Sequence, residues 1–180
     1  PERDDFLRYL ELEMNLGALL RVRRKALGMP RRGASDYAVR RRVHFVFSRA
    51  LRHFKGDETL WLQWIDYARR TRANARLPRI FGRALAVLPH SARLWTAAAS
   101  WEMEGRNNAE GARRLLQRGL RINPAGHELW QSYFTFELVY VQKVRARRRR
   151  LSGEDAKEGQ GEDEEDGEDE DEDEDEDEEE

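Results

Sequence analysis

The sequence predicts an all-α, right-handed solenoid of about three and a half helical hairpins, followed by a disordered acidic tail. Three observations predict it. Leu60-Trp61 returns as Leu94-Trp95, 34 residues on, and again as Leu129-Trp130, 35 residues after that. Arg49-Ala50-Leu51, Arg83-Ala84-Leu85 and Arg118-Gly119-Leu120 keep the same spacing, and Pro89 has a counterpart in Pro124. Two separate landmarks with one period mark an internal repeat, and a period near 34 is that of stacked helical hairpins. Within each unit, the apolar residues recur at helical spacing.

The repeating unit has a physical logic. With the Trp as position zero of a first helix, position +3 holds Trp64, Ala98 and Tyr133, and +6 holds Tyr67, Trp101 and Phe136. These spacings share one helix face and make a mostly aromatic stripe for burial. The second helix carries Ile80, Phe81, Ala84, Leu85 and Leu88, with Leu115, Leu116, Gly119, Leu120 and Ile122 as counterparts. A glycine inside a helix costs about 1 kcal/mol relative to alanine, so Gly119 is expected to have a packing reason. Asp57, Ser91 and Gly126 precede the Trp helices, where an N-cap is wanted. One hairpin cannot cover its own apolar flank, whereas stacked hairpins can.

The elements follow in order. A first helix runs from Asp4 to about Leu27, with Phe6, Tyr9, Leu12, Leu16, Leu19, Leu20 and Val22 as its apolar face and Gly28 as its stop. The Pro- and Gly-containing stretch from Met29 to Ala34 is a loop. Ser35 is expected to cap a second helix whose buried stripe holds Val39, Val43, Val46, Phe47, Ala50, Leu51 and Phe54. Helices near 58–71 and 76–88 form the next hairpin, with Pro78 tolerable only in a first turn. Helices over 92–104 and 108–122 form another. A seventh helix runs from about Glu128 to Arg150 and is apolar around most of its circumference, so it predicts burial. Its cover, over Trp130, Phe134, Leu138 and Val141, is expected from a further repeat or a partner. The chain opens at Pro1 close to a helix, with neither an initiator Met nor a signal peptide, and reads as part of something longer.

The charge is segregated. The net charge of −2 conceals +18 over residues 1–150 and −20 over residues 151–180. Residues 1–150 therefore read as the helical array and 151–180 as an acidic low-complexity segment that repels itself. The chain has no cysteine, which excludes a disulfide framework and thiolate metal sites. No run of 18 apolar residues implies a membrane span.

A 34-residue hairpin suggests the tetratricopeptide repeat, but Ile65, Ala99 and Phe134 stand where that family wants glycine, which also weakens a co-chaperone reading. Instead Glu13, Glu102 and Glu137 sit at +7 of three first helices, and the second helices carry Arg49, Arg83 and Arg118. Trp, an aromatic and Glu on one helix, then Arg-Ala-Leu and a closing Pro on the next, resembles the half-a-tetratricopeptide (HAT) repeat. The resemblance extends over residues 4–145, through Asp5-Phe6-Leu7-Arg8-Tyr9, Trp101-Glu102-Met103-Glu104 and Phe136-Glu137-Leu138. It implies a Glu–Arg pair within each unit. It further implies a nucleolar scaffold of the UTP-B part of the small-subunit processome, with WD40-propeller proteins as partners. U3 small nucleolar RNA and pre-ribosomal RNA would lie in the same assembly. A HAT scaffold for splicing or mRNA 3′-end processing, and a directly RNA-binding basic module, stay open.

Candidate contact residues are the basic clusters Arg21, Arg23, Arg24 and Lys25; Arg31 and Arg32; Arg40, Arg41 and Arg42; Arg69, Arg70 and Arg72; and Arg145 with Arg147, Arg148, Arg149 and Arg150. Arginines neutralise phosphates without reading sequence, so RNA or an acidic protein segment fits them. For any single cluster, a solvated helix face is the plainer reading. The aromatics belong to helix seams by their spacing. His44, His53, His90 and His127 lack ligand spacing, and there is no Gly-rich phosphate loop or nucleophile motif. No enzyme and no cofactor are expected.

Overall fold

The computed structural model describes residues 2–29, 31 and 33–152. Pro1, Pro30, Arg32 and residues 153–180, which hold all but the first two residues of the acidic segment, lie outside the described residues. Within them the chain forms α1 (Arg3–Ala26), α2 (Ala34–His53), α3 (Glu58–Arg70), α4 (Leu77–Val87), α5 (Ala92–Ser100), α6 (Ala109–Ile122) and α7 (His127–Ser152), and no strand. Two compact units divide after Tyr133.

In the unit up to Tyr133, α1 pairs with α2, α3 with α4 and α5 with α6, as the period predicts. Each boundary has a local cause. Gly28, at φ +64°, takes a left-handed conformation beyond the end of α1. Asp57 Oδ1 accepts from the Leu60 amide at 3.0 Å, Ser91 Oγ from Leu94 at 3.2 Å, and Asn108 Oδ1 from Gly111 at 3.0 Å. Pro78 lies in the first turn of α4, where no donor is lost. The cap of α2 differs from expectation. Gly33 is the capping residue and Asp36 accepts its amide at 2.9 Å, while Ser35 lies inside the first turn.

The end of α5 also differs. Trp101–Gly105 is a π-helical turn, a wider winding the apolar spacing did not signal. A Cβ on Gly105 would meet the Trp101 ring at 2.9 Å, so this turn lets the indole lie against bare backbone.

The aromatic stripe forms the core. Trp61 stacks on Trp64, and Trp64 on Phe47, with ring centres 6.0 and 6.1 Å apart, and Phe81 lies 5.8 Å from Trp101. Gly119 has the expected packing reason: a Cβ there would sit 2.8 Å from Trp95 Cγ and 2.9 Å from Leu129 Cδ2. On α1 the buried line is Phe6, Leu10 and Glu13, whereas Tyr9, Leu12, Leu19 and Val22 are exposed. The α1 face is thus rotated from the expected one. An apolar spacing names several overlapping stripes, and packing on α2 selects one of them.

Polar contacts join residues about one period apart. Arg83 Nη1 donates to Ser48 Oγ, Arg69 pairs with Glu104, Arg93 with Glu58, Thr96 Oγ1 donates to Ser132 Oγ, and the Asn123 amide donates to the Pro89 carbonyl. Separations of 34 to 36 residues are the contact signature of a stacked repeat.

In the second unit, Phe136 is buried and stacks on Tyr140 at 6.4 Å. Phe134, Leu138, Val139, Val141, Val144 and Leu151 are exposed. The sequence predicts burial around most of this helix; the described chain leaves these side chains open.

Candidate functional site

The Trp residues do more than fill volume. Trp61 Nε1 donates to the Lys55 carbonyl at 2.9 Å, Trp95 Nε1 to Pro89 at 2.8 Å and Trp130 Nε1 to Pro124 at 3.1 Å. Each indole latches the backbone six residues before it, in the turn that delivers the chain to its helix. A buried indole N–H needs a partner, and a turn carbonyl needs a donor. Trp61 and Trp95 are buried, but Trp130 is 51% exposed, contrary to the burial expected of its stripe. No described hairpin follows to cover it.

The expected Glu–Arg pairing takes other partners. Glu13 is buried and binds Arg42 at 2.9 Å, with the Tyr9 hydroxyl donating to the same oxygen at 3.1 Å. Glu102 accepts from Asn108 Nδ2 at 2.8 Å and from Arg106 at 3.2 Å, closing the turn into α6. Arg83 lies over the rings of Trp61 and Trp64, 5.6 Å from each centre, and Arg49 over Phe45 at 5.7 Å. The repeated arginines thus act on aromatic faces in two units. Arg118 is exposed and borders an apolar groove of about 470 Å³ between α4, α5 and α6, floored by Phe81, Trp95 and Trp101. Glu137 is half-buried.

The basic clusters separate into structural and open members. Arg24 is mostly buried and pairs with Asp36, tying the end of α1 to the start of α2. Arg42 serves Glu13, Arg69 pairs with Glu104, and Arg70 with Asp66. Arg21, Arg23, Lys25, Arg41 and Arg72 are exposed. In the second unit Arg145 and the run from Arg147 to Arg150 are exposed as well.

One basic cluster sits at a pocket. The space has a volume of about 480 Å³ and is lined by Ala34, Tyr37, Arg40, Arg41, His44, Ala73 and Arg76. Two hairpins contribute: α2 supplies the first five residues and the α3–α4 turn the last two. Arg72, at φ +54°, and a bond from the Ala73 amide to the Ala68 carbonyl shape that turn. Arg40 donates to the Thr71 carbonyl, which fixes its guanidinium against the turn. His44 is 4% exposed, and its Nδ1 accepts the Trp64 indole N–H at 2.8 Å. Burial first, then Arg76 and Arg40, lower its pKa from 6.5 to about 4. Sequence reasoning flagged Arg40 and Arg41 but missed Tyr37, His44 and Arg76. Arg76 stands 35 residues from Arg41, one repeat period away, and that spacing is the signal that would have found it.

Among the described residues no helix is long and apolar enough to cross a membrane, and no group of His, Asp and Glu has a metal-binding arrangement.

Helical hairpins with contacts at one repeat period, latched by tryptophan, define a helical-repeat protein of the HAT class. Residues 42–156 match the family described as Suppressor of forked protein (Suf), and the chain belongs to that family. It is also similar to individual relatives. The U3 small nucleolar RNA-associated protein 6 of Schizosaccharomyces pombe is 40% identical over 83% of this chain and 31% of its own length. The human homolog of that protein is 35% identical over 79% of this chain and 24% of its own, and that of Dictyostelium discoideum 34% over 77% and 23%. The chain thus spans between 23% and 31% of the length of these relatives.

Proposed function

We propose that this chain is a non-enzymatic scaffold segment of the assembly that matures small-subunit ribosomal RNA around the U3 small nucleolar RNA. The observation that carries the reading is 40% identity, over 83% of the chain, to a protein named for association with that RNA. The structure supports a scaffold in physical terms. Phe47, Trp61, Trp64, Phe81, Trp95 and Trp101 are spent on the core, and most of the charge stands on the outside.

The finer reading follows the HAT resemblance. The chain acts in the nucleolus, within the UTP-B part of the processome, and WD40-propeller proteins are its partners. Residues 1–150 form the repeat array and 151–180 a separate acidic segment. The open side chains of Phe134, Leu138 and Val141 are where a further repeat or a partner docks, and the exposed arginines face RNA or acidic protein segments. The test is affinity purification of the full-length protein from cells, followed by sequencing of the bound RNA. U3 and pre-ribosomal RNA are expected. Enrichment of spliceosomal or messenger RNA in their place would transfer the chain to another HAT scaffold.

A further inference from the structure

The pocket between α2 and the α3–α4 turn combines three features. Three guanidinium groups line it, none of its seven lining residues is acidic, and an aromatic ring 53% exposed stands among them. Arg40 is held by a backbone carbonyl, so one wall is preorganised. His44 accepts the Trp64 N–H at Nδ1, so its neutral ring carries the hydrogen on Nε2 and is a donor there. After burial itself, Arg76 and Arg40 disfavour protonation of His44.

We propose that this pocket binds one nucleotide of a single-stranded RNA, with its phosphate between Arg41 and Arg76 and its base against Tyr37. A volume of about 480 Å³ is larger than a lone phosphate needs and takes a nucleotide. Guanidinium groups neutralise the phosphate, and an exposed ring beside them offers a stacking face that every base can use. An acidic peptide would engage the arginines and leave Tyr37 without a role. Because the lining comes from two hairpins, the site exists only in the stacked array. The choice of RNA rests on the pre-ribosomal reading above; the pocket itself is tested on purified protein, so its failure leaves the co-purification result standing.

The experiment measures binding of a fluorescent single-stranded RNA to the full chain by anisotropy, over a series of salt concentrations. The substituted side chains are exposed, and melting curves establish that each variant folds. Arg41→Ala with Arg76→Ala is expected to weaken binding at least tenfold and to flatten the log–log salt dependence by about 1 to 2. Tyr37→Ala is expected to weaken binding about tenfold with the salt slope unchanged, and Tyr37→Trp to preserve it. Equal weakening by Arg21→Ala with Arg23→Ala would show diffuse attraction and overturn the site. An unaffected Tyr37→Ala variant, or a polyglutamate peptide that binds through Arg41 and Arg76 where RNA does not, would assign the pocket to acidic protein. A DNA of the same sequence binding equally would overturn the assignment to RNA.

Discussion

The carbonyl of Pro89 receives two donors from the α5–α6 hairpin: the Trp95 indole N–H at 2.8 Å and the Asn123 side-chain amide at 3.1 Å. One backbone oxygen thus ties the turn before α5 both to its own helix and to the end of α6. The tryptophan at the head of each Trp helix is a latch on the preceding turn as well as a core residue.

That geometry separates three residues that look equivalent in the repeat. Trp95 is 3% exposed and Trp130 is 51% exposed, although both donate to a turn carbonyl. Trp95→Ala is expected to cost about 3–5 kcal/mol, as for a large side chain removed from a core. Trp130→Ala in this chain is expected to cost about 1 kcal/mol, the worth of its hydrogen bond. Trp61→Ala should follow Trp95. Denaturant unfolding of the three variants checks the order, and equal losses at Trp95 and Trp130 would refute it.

Two helical glycines give opposite signs. A Cβ on Gly119 would lie 2.8 Å from Trp95 and 2.9 Å from Leu129, while one on Gly82 meets nothing within 4 Å. Gly119→Ala is expected to destabilise by about 1–3 kcal/mol through overpacking. Gly82→Ala, in the exposed interior of α4, is expected to stabilise by about 0.5–1 kcal/mol through helix propensity and a less free unfolded chain. Melting temperatures that move in the same direction would contradict the packing.

His44 makes stability depend on pH. Its folded pKa is about 4 against 6.5 unfolded, so the unfolded chain binds the extra proton between those values. Stability from this group is full above pH 6.5 and is lost as pH falls toward 4. The causes are local: burial withholds water, and Arg76 and Arg40 repel the added charge. His44→Asn, which keeps an acceptor near that position, is expected to flatten the slope of melting temperature between pH 6.5 and 4. Slopes that stay parallel in the two proteins would place the acid sensitivity elsewhere.

Arg83 sits over two indole rings from an exposed position. Arg83→Ala is expected to cost about 0.5–1 kcal/mol, and Arg83→Lys less than that. Arg118, its repeat counterpart at the rim of the apolar groove, lies over no ring among the described residues, and Arg118→Ala is expected to be nearly neutral. Chemical denaturation of the paired variants tests whether the repeated arginine has one role or two.

Much of this was legible in the residues because periodicity carries it. Helix existence, order and length follow from apolar spacing, and stacking follows from the recurrence of Trp and Arg-Ala-Leu at 34 and 35 residues. Gly119 announced its own tight seam. What could not be read was the choice among near-equal options. Glu13 had several arginines in reach of a repeat and took Arg42, because α2 presents that side chain at the depth where Glu13 is buried. The line Phe6–Leu10–Glu13 won over Phe6–Tyr9–Leu12 through the rotation of α1 on α2.

The amino-acid order alone determined an array of helical hairpins with aromatic seams and a segregated charge, since pattern and period are properties of neighbouring residues on one strand of chain. Only the tertiary structure decided which cations are satisfied and which stand open. It placed Arg76 beside Arg40 and Arg41, set His44 behind them, and left Trp130 uncovered. The reason is that pairing and exposure depend on distances across a seam, and those arise when separate hairpins meet.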